Sequence, residues 1–93
     1  MPSLGGKMKT DYQYITFKLV EEKPKTKVWQ CCNKKSGGEL GIVKWYPAWR
    51  QYCYFPTVQA VYSDGCLQDI ADFIEGQMRL RKQRIDDMKE RLK

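Results

Sequence analysis

LGIVKWYPAWRQYCYFP, residues 40–56, decides how the rest of the chain is read. Pro47 fixes its own φ and pushes Tyr46 out of the helical region, so Tyr46-Pro47-Ala48 marks a break. Both flanks are rich in β-branched and aromatic residues, which predicts two strands folded about that break. Strand side chains alternate between faces, so the second flank sorts into Trp49, Gln51, Cys53 and Phe55 against Arg50, Tyr52 and Tyr54. The first sorts into Leu40, Ile42 and Lys44 against Gly41, Val43 and Trp45. One face of this hairpin must supply core; the other is aromatic and basic.

Upstream, residues 12–21 alternate, with Ile15, Phe17 and Leu19 as the core face and Tyr12, Tyr14, Thr16, Lys18 and Val20 opposite. Pro24 places a turn at 22–25, residues 27–33 read as a second strand, and Gly37-Gly38 closes a hairpin loop at 34–38. Residues 1–10, with Pro2 and Gly5-Gly6, read as a flexible leader. Downstream, Val58 and Val61 suggest a short fifth edge strand over 57–62. Ser63 or Asp64 then caps a helix whose Leu67, Ile70, Ala71 and Ile74 recur at helical spacing. The expected fold is α+β: a four- to five-stranded antiparallel meander sheet followed by one long C-terminal helix packed on one face. Its expected core is Ile15, Phe17, Leu19, Trp29, Ile42, Phe55, Leu67, Ile70 and Ile74.

The helical pattern continues past the domain. Ala71, Ile74, Met78, Arg81, Ile85, Met88 and Leu92 are spaced by threes and fours, as in a coiled-coil seam. The expected organisation is therefore a leader (1–10), a single domain (11–77) and a helical extension (78–93). The extension is expected to make a homodimer through Ile74, Met78, Ile85, Met88 and Leu92, because an isolated overhanging helix is marginal in water.

With 93 residues, 42% hydrophobic and 30% charged, the chain supports one soluble globular domain. Its net charge of +6 and pI of about 9.2 favour polyanionic partners. The charge is uneven: residues 1–63 carry +6, residues 64–75 carry −4 and residues 76–93 carry +4. Cys31, Cys32, Cys53 and Cys66 show no C-x-x-C spacing, and the chain has no histidine, so no common zinc site is expected. The cysteines read as reduced, mostly buried thiols, and the absence of a signal peptide or a membrane-length apolar run points to the cytoplasm.

If a helix covers one face of the sheet, the other exposes rings beside cations. Tyr12, Tyr14, Lys44, Trp45, Arg50, Tyr52 and Tyr54 are the candidate binding residues, and Lys18, Lys34 and Lys35 are placed to track phosphates. Exposed rings beside cations suit single-stranded nucleic acid or a nucleotide, since every base has a face to stack. The bland reading is that the same rings fill a core or a homodimer interface, as tyrosine and tryptophan commonly do. Catalysis is not expected. Cys66 in a first helical turn has no histidine to activate it, Asp69, Asp72 and Glu75 read as a solvated helix face, and Ser36-Gly37-Gly38 is a hairpin turn rather than a phosphate loop. No cofactor and no metal are expected.

LGIVKWYPAWRQYCYFP (40–56) and GCLQDIADFIE (65–75) together resemble a small uncharacterised family common in phages and prophages. Its pattern is LGxIKWYxxWRQYCFxP followed by a GCLxDIxxFI helix. The likeness covers about residues 14–75 and implies a phage or mobile-element origin, with the host cytoplasm as the place of action. It brings no activity and no functional residue. It does raise a different function, that of a phage-encoded inhibitor or adaptor which docks on a host or defence protein. In topology alone, four strands and a dimerising C-terminal helix resemble the transcriptional coactivators that bind single strands.

Overall fold

The computed structural model describes residues 9–91, with Arg84 and residues 86–91 given by backbone alone. Among the described residues four strands form: β1 (Ile15–Glu22), β2 (Lys27–Asn33), β3 (Glu39–Tyr46) and β4 (Gln51–Pro56). They pair antiparallel in the order β1-β2-β3-β4, and one helix, α1 (Asp64–Arg91), packs against the sheet. The architecture is α+β, a four-stranded meander followed by a C-terminal helix. The fifth strand expected at 57–62 does not form. Thr57 instead donates its N–H (3.0 Å) and its hydroxyl (3.3 Å) to the carbonyl of Leu40, and the Tyr62 hydroxyl donates to the same oxygen. That leaves Val58 and Val61 almost fully exposed.

Cross-strand partners share a face, so register decides which side chains the helix covers. Phe17 pairs with Cys31 and Cys31 with Gly41, while Leu19 pairs with Trp29, Trp29 with Val43, and Val43 with Tyr54. Trp45 pairs with Tyr52 beside them. All of these therefore lie on one face, and the helix contacts fall on it. Phe73 stacks on Phe17 with centroids 3.9 Å apart and meets Trp29 edge-on at 5.2 Å. Further along α1, the Tyr52 N–H donates to Met78 Sδ at 3.3 Å, and the Arg81 guanidinium lies 4.0 Å from the Trp45 ring centre. The helix thus runs diagonally from β1 to β4.

The buried core is Tyr12, Ile15, Phe17, Cys31, Val43, Tyr52, Ile70 and Phe73. Expectation and structure agree on Ile15, Phe17 and Ile70, and Trp29 and Ile74 pack against the cluster half-buried. Four expected core residues lie elsewhere. Leu19 is exposed because the diagonal helix has left β1 beyond Phe17. Ile42 and Phe55 pair with each other, in a row with Gln30 and Lys18, on the face opposite the helix. Leu67 is exposed because α1 buries the seam Cys66, Ile70, Phe73 and Gln77, one residue around from the one expected.

The helix begins as expected, with the Ser63 hydroxyl accepting the Cys66 N–H at 3.2 Å as an N-cap. It runs unbroken past Gln77, and Met78 and Arg81 pack on the sheet, so the domain reaches beyond its expected boundary. At the other end, Thr10 belongs to the fold rather than to the leader, since its carbonyl accepts the Phe17 N–H at 2.8 Å.

Candidate functional site

The seven candidate binding residues separate. Tyr12, Trp45, Tyr52 and Tyr54 are on the helix side and serve packing. Tyr12 precedes β1 behind a bend at 13–14, which breaks the strand alternation and turns its ring inward against Phe17 at 5.8 Å. Its hydroxyl donates to Asp72 at 2.9 Å, and burial, then Asp72, raises the phenol well above its usual range. Tyr52 is buried, its hydroxyl accepting the Lys27 N–H at 3.1 Å. The Tyr54 hydroxyl donates to that of Tyr62 at 3.0 Å, and burial pushes this phenol up as well. Gly41 makes room for that ring: a Cβ there would sit 2.5 Å from the Tyr54 ring and 2.8 Å from the Phe55 carbonyl. Burial also lifts the Cys31 thiol to about 11, so it stays protonated near neutrality.

Lys44, Arg50 and Tyr14 are exposed. Lys44 belongs to the face opposite the helix, whose rows the register gives as Thr16–Cys32–Glu39, Lys18–Gln30–Ile42–Phe55, Lys44–Cys53 and Tyr46–Gln51. On this face three rings form a continuous line. Trp49 meets Tyr46 edge-on at 5.1 Å, Tyr46 meets Phe55 at 6.0 Å, and Lys44 Nζ stands 4.8 Å over Phe55. Trp49, at the tip, is 66% exposed.

The β3–β4 turn holds the tip in place. The N–H of Trp49 donates to the Tyr46 carbonyl and that of Arg50 to the Pro47 carbonyl, both at 3.2 Å, with Pro47 at the turn position its fixed φ suits. Arg50 closes the turn at φ 55°, a left-handed conformation that favours glycine.

Tyr46, Trp49 and Phe55 were missed as site residues. Lys44 held the signal: as the charged side chain inside β3, it marks its own face as the solvent face, and Tyr46 shares that face by alternation. Tyr14 stands apart at the far end of the sheet, in a cleft described below. Of the expected dimer residues, Ile74 and Met78 pack against the domain core, where the diagonal helix needs them. Ile85 is half-buried, while the side chain of Met88 and all of Leu92 lie outside the described residues.

Among the described residues, no helix is long and apolar enough to cross a membrane. No protein-family model, no curated protein and no solved structure matches this chain.

Proposed function

We propose that the chain is a non-catalytic binding module, of phage or mobile-element origin, that holds single-stranded nucleic acid or a nucleotide on the open face of its sheet. The observation that carries this reading is the line Trp49–Tyr46–Phe55 with Lys44 over Phe55, on the face away from the helix, and the exposed Arg50 follows Trp49 at the turn. Base stacking on such rings contributes about 1–3 kcal/mol per base, and the cations add a salt-dependent phosphate component. The binding residues proposed are Lys44, Tyr46, Trp49, Arg50 and Phe55, with Lys18 behind them on the same face. The helix side supplies stability, and the host cytoplasm is the proposed place of action.

Fluorescence anisotropy with labelled single-stranded DNA and RNA across a salt series tests the proposal. Trp49→Ala is expected to weaken binding by about 5- to 150-fold, one stacked base. Lys44→Ala with Arg50→Ala is expected to flatten the salt slope by about two. No binding of either polymer below about 10 µM at low salt would defeat the reading, because non-specific binders already reach that range at physiological salt.

The exposure of Trp49 favours one competing function, an inhibitor or adaptor docking on a host or defence protein with Trp49 as its anchor. Under that reading, affinity for the partner depends on Trp49 and only weakly on salt. The proposal also includes self-association. Past Arg81, which packs on Trp45, α1 continues to Arg91, and in the sequence Ile85, Met88 and Leu92 keep the three–four spacing of a helical interface.

A further inference from the structure

We infer that a cleft beside Tyr14 is a second nucleotide subsite, so that a single strand lies along the whole open face rather than at the Trp49 tip alone. The inference rests on the reading of that face as a nucleic-acid surface. The cleft, about 380 Å³, is lined by Gln13, Tyr14, Asn33, Lys34 and Lys35. That volume is within the range of small-ligand sites, about 300–1,000 Å³.

Its chemistry is that of a nucleotide site. Tyr14 is 59% exposed, and its hydroxyl accepts a hydrogen bond from Gln13 Nε2 at 3.0 Å, which orients the ring while leaving it open. Lys34 is fixed: its Nζ donates to Asp11 Oδ2 at 3.1 Å and to the Tyr12 carbonyl at 2.9 Å. The Lys34 hydrogen bond in turn holds the Asp11 carboxyl below its usual pKa. Lys35 is exposed and has no ion pair among the described residues. The Asn33 side-chain oxygen accepts the N–H groups of Lys35 and Ser36 at 2.9 and 3.0 Å, shaping the loop that carries this cation. A stacked base on Tyr14 with a phosphate at Lys35 fits these groups.

Position turns the cleft into part of a path. The Lys34 N–H donates to the Tyr14 carbonyl at 2.9 Å, one step past the Ile15–Asn33 pair and by alternation on the Thr16–Cys32 side, whereas Tyr46 pairs with Gln51 at the other end of the sheet. The eight residues of β3 between the two ends span about 24 Å at ~3.4 Å per residue. Lys18 and Lys44 lie on the face between them, and Glu39, which accepts a hydrogen bond from Gln30 at 3.2 Å, is a carboxylate on the same face. A span of this length calls for a strand of about four or more nucleotides, the lower end of the site sizes known for sheet-based single-strand binders.

The test uses the full chain and labelled oligothymidylates of about three and about twelve nucleotides, chosen to fall on either side of that limit. For the long strand, Tyr14→Ala and Lys35→Ala are each expected to weaken binding, Tyr14→Ala by about 5- to 150-fold. For the short strand, Trp49→Ala is expected to weaken binding, with Tyr14→Ala weaker in its effect than on the long strand. Glu39→Gln is expected to tighten the long strand. If Trp49→Ala weakens the long strand while Tyr14→Ala and Lys35→Ala leave it within about twofold of the unaltered chain, less than one stacked base is worth, the second subsite is overturned and the first stands. If the unaltered chain binds neither length, both fall together.

Discussion

Arg50 sits in a left-handed backbone conformation that a glycine would adopt at no steric cost. A non-glycine residue held there costs on the order of 1–3 kcal/mol, and such strain clusters at sites of function. Arg50→Gly is therefore expected to stabilise the fold by up to about 1 kcal/mol, raising the melting temperature by about 4–8 °C, while weakening nucleic-acid binding. Thermal melts paired with anisotropy separate the two effects; a variant that loses stability would show that the arginine side chain holds the turn. Gly41 shows the opposite constraint. Its missing Cβ is what lets the Tyr54 ring cross β3 to reach Tyr62, so Gly41→Ala is expected to destabilise by about 1–3 kcal/mol in urea denaturation.

At the level of elements, Phe73 joins the two layers, stacked on Phe17 and edge-on to Trp29. Phe73→Ala is expected to cost about 3–5 kcal/mol, measured by chemical denaturation. The sequence made the helix and its cap plain, but not its rotation about its own axis. The sets Leu67–Ile70–Ile74 and Cys66–Ile70–Phe73 both obey helical spacing, and only the position of Phe17 and Trp29 in the sheet selects the second. The strands tell the same story. Alternation in β3 and β4 was legible, yet which face met the helix depended on pairing to β1 through β2, with a register shift between Cys31 and Cys32 that no local pattern announces. Two truncations follow from the packing. A chain ending at Gln77 loses Met78 and Arg81 from the sheet and is expected to be less stable. A chain ending at Gln83 keeps both, so its fold should persist while light scattering reports the loss of a dimer; an unchanged mass would remove the helix end as the interface.

At the scale of the whole molecule, three acids among the described residues that burial keeps neutral bear on behaviour in alkali. The Cys31 thiol is raised from 9.0 to about 11, and the Tyr12 and Tyr54 phenols are raised by burial too. Each is neutral in the fold and ionises first in the unfolded chain, so its contribution is complete below the unfolded pKa and is lost as pH rises through the folded one. The urea midpoint is expected to fall between pH 9 and about 11, the window of the Cys31 thiol; a flat profile there would contradict the protonated interior. The two margins of the sheet have a different consequence. On β4, the Tyr52 amide that turns away from β3 is taken by the Met78 thioether, and Pro56, in the same orientation, has no amide to offer. On β1, the outward Phe17 amide is taken by Thr10, and beyond it lie a bulge at Val20 and the charges of Glu21 and Glu22. Strand addition by another polypeptide is thus discouraged on both sides. What the molecule offers a partner is side chains rather than backbone, and oxidation of Met78 to its sulfoxide would place a polar, chiral group at the seal of one margin.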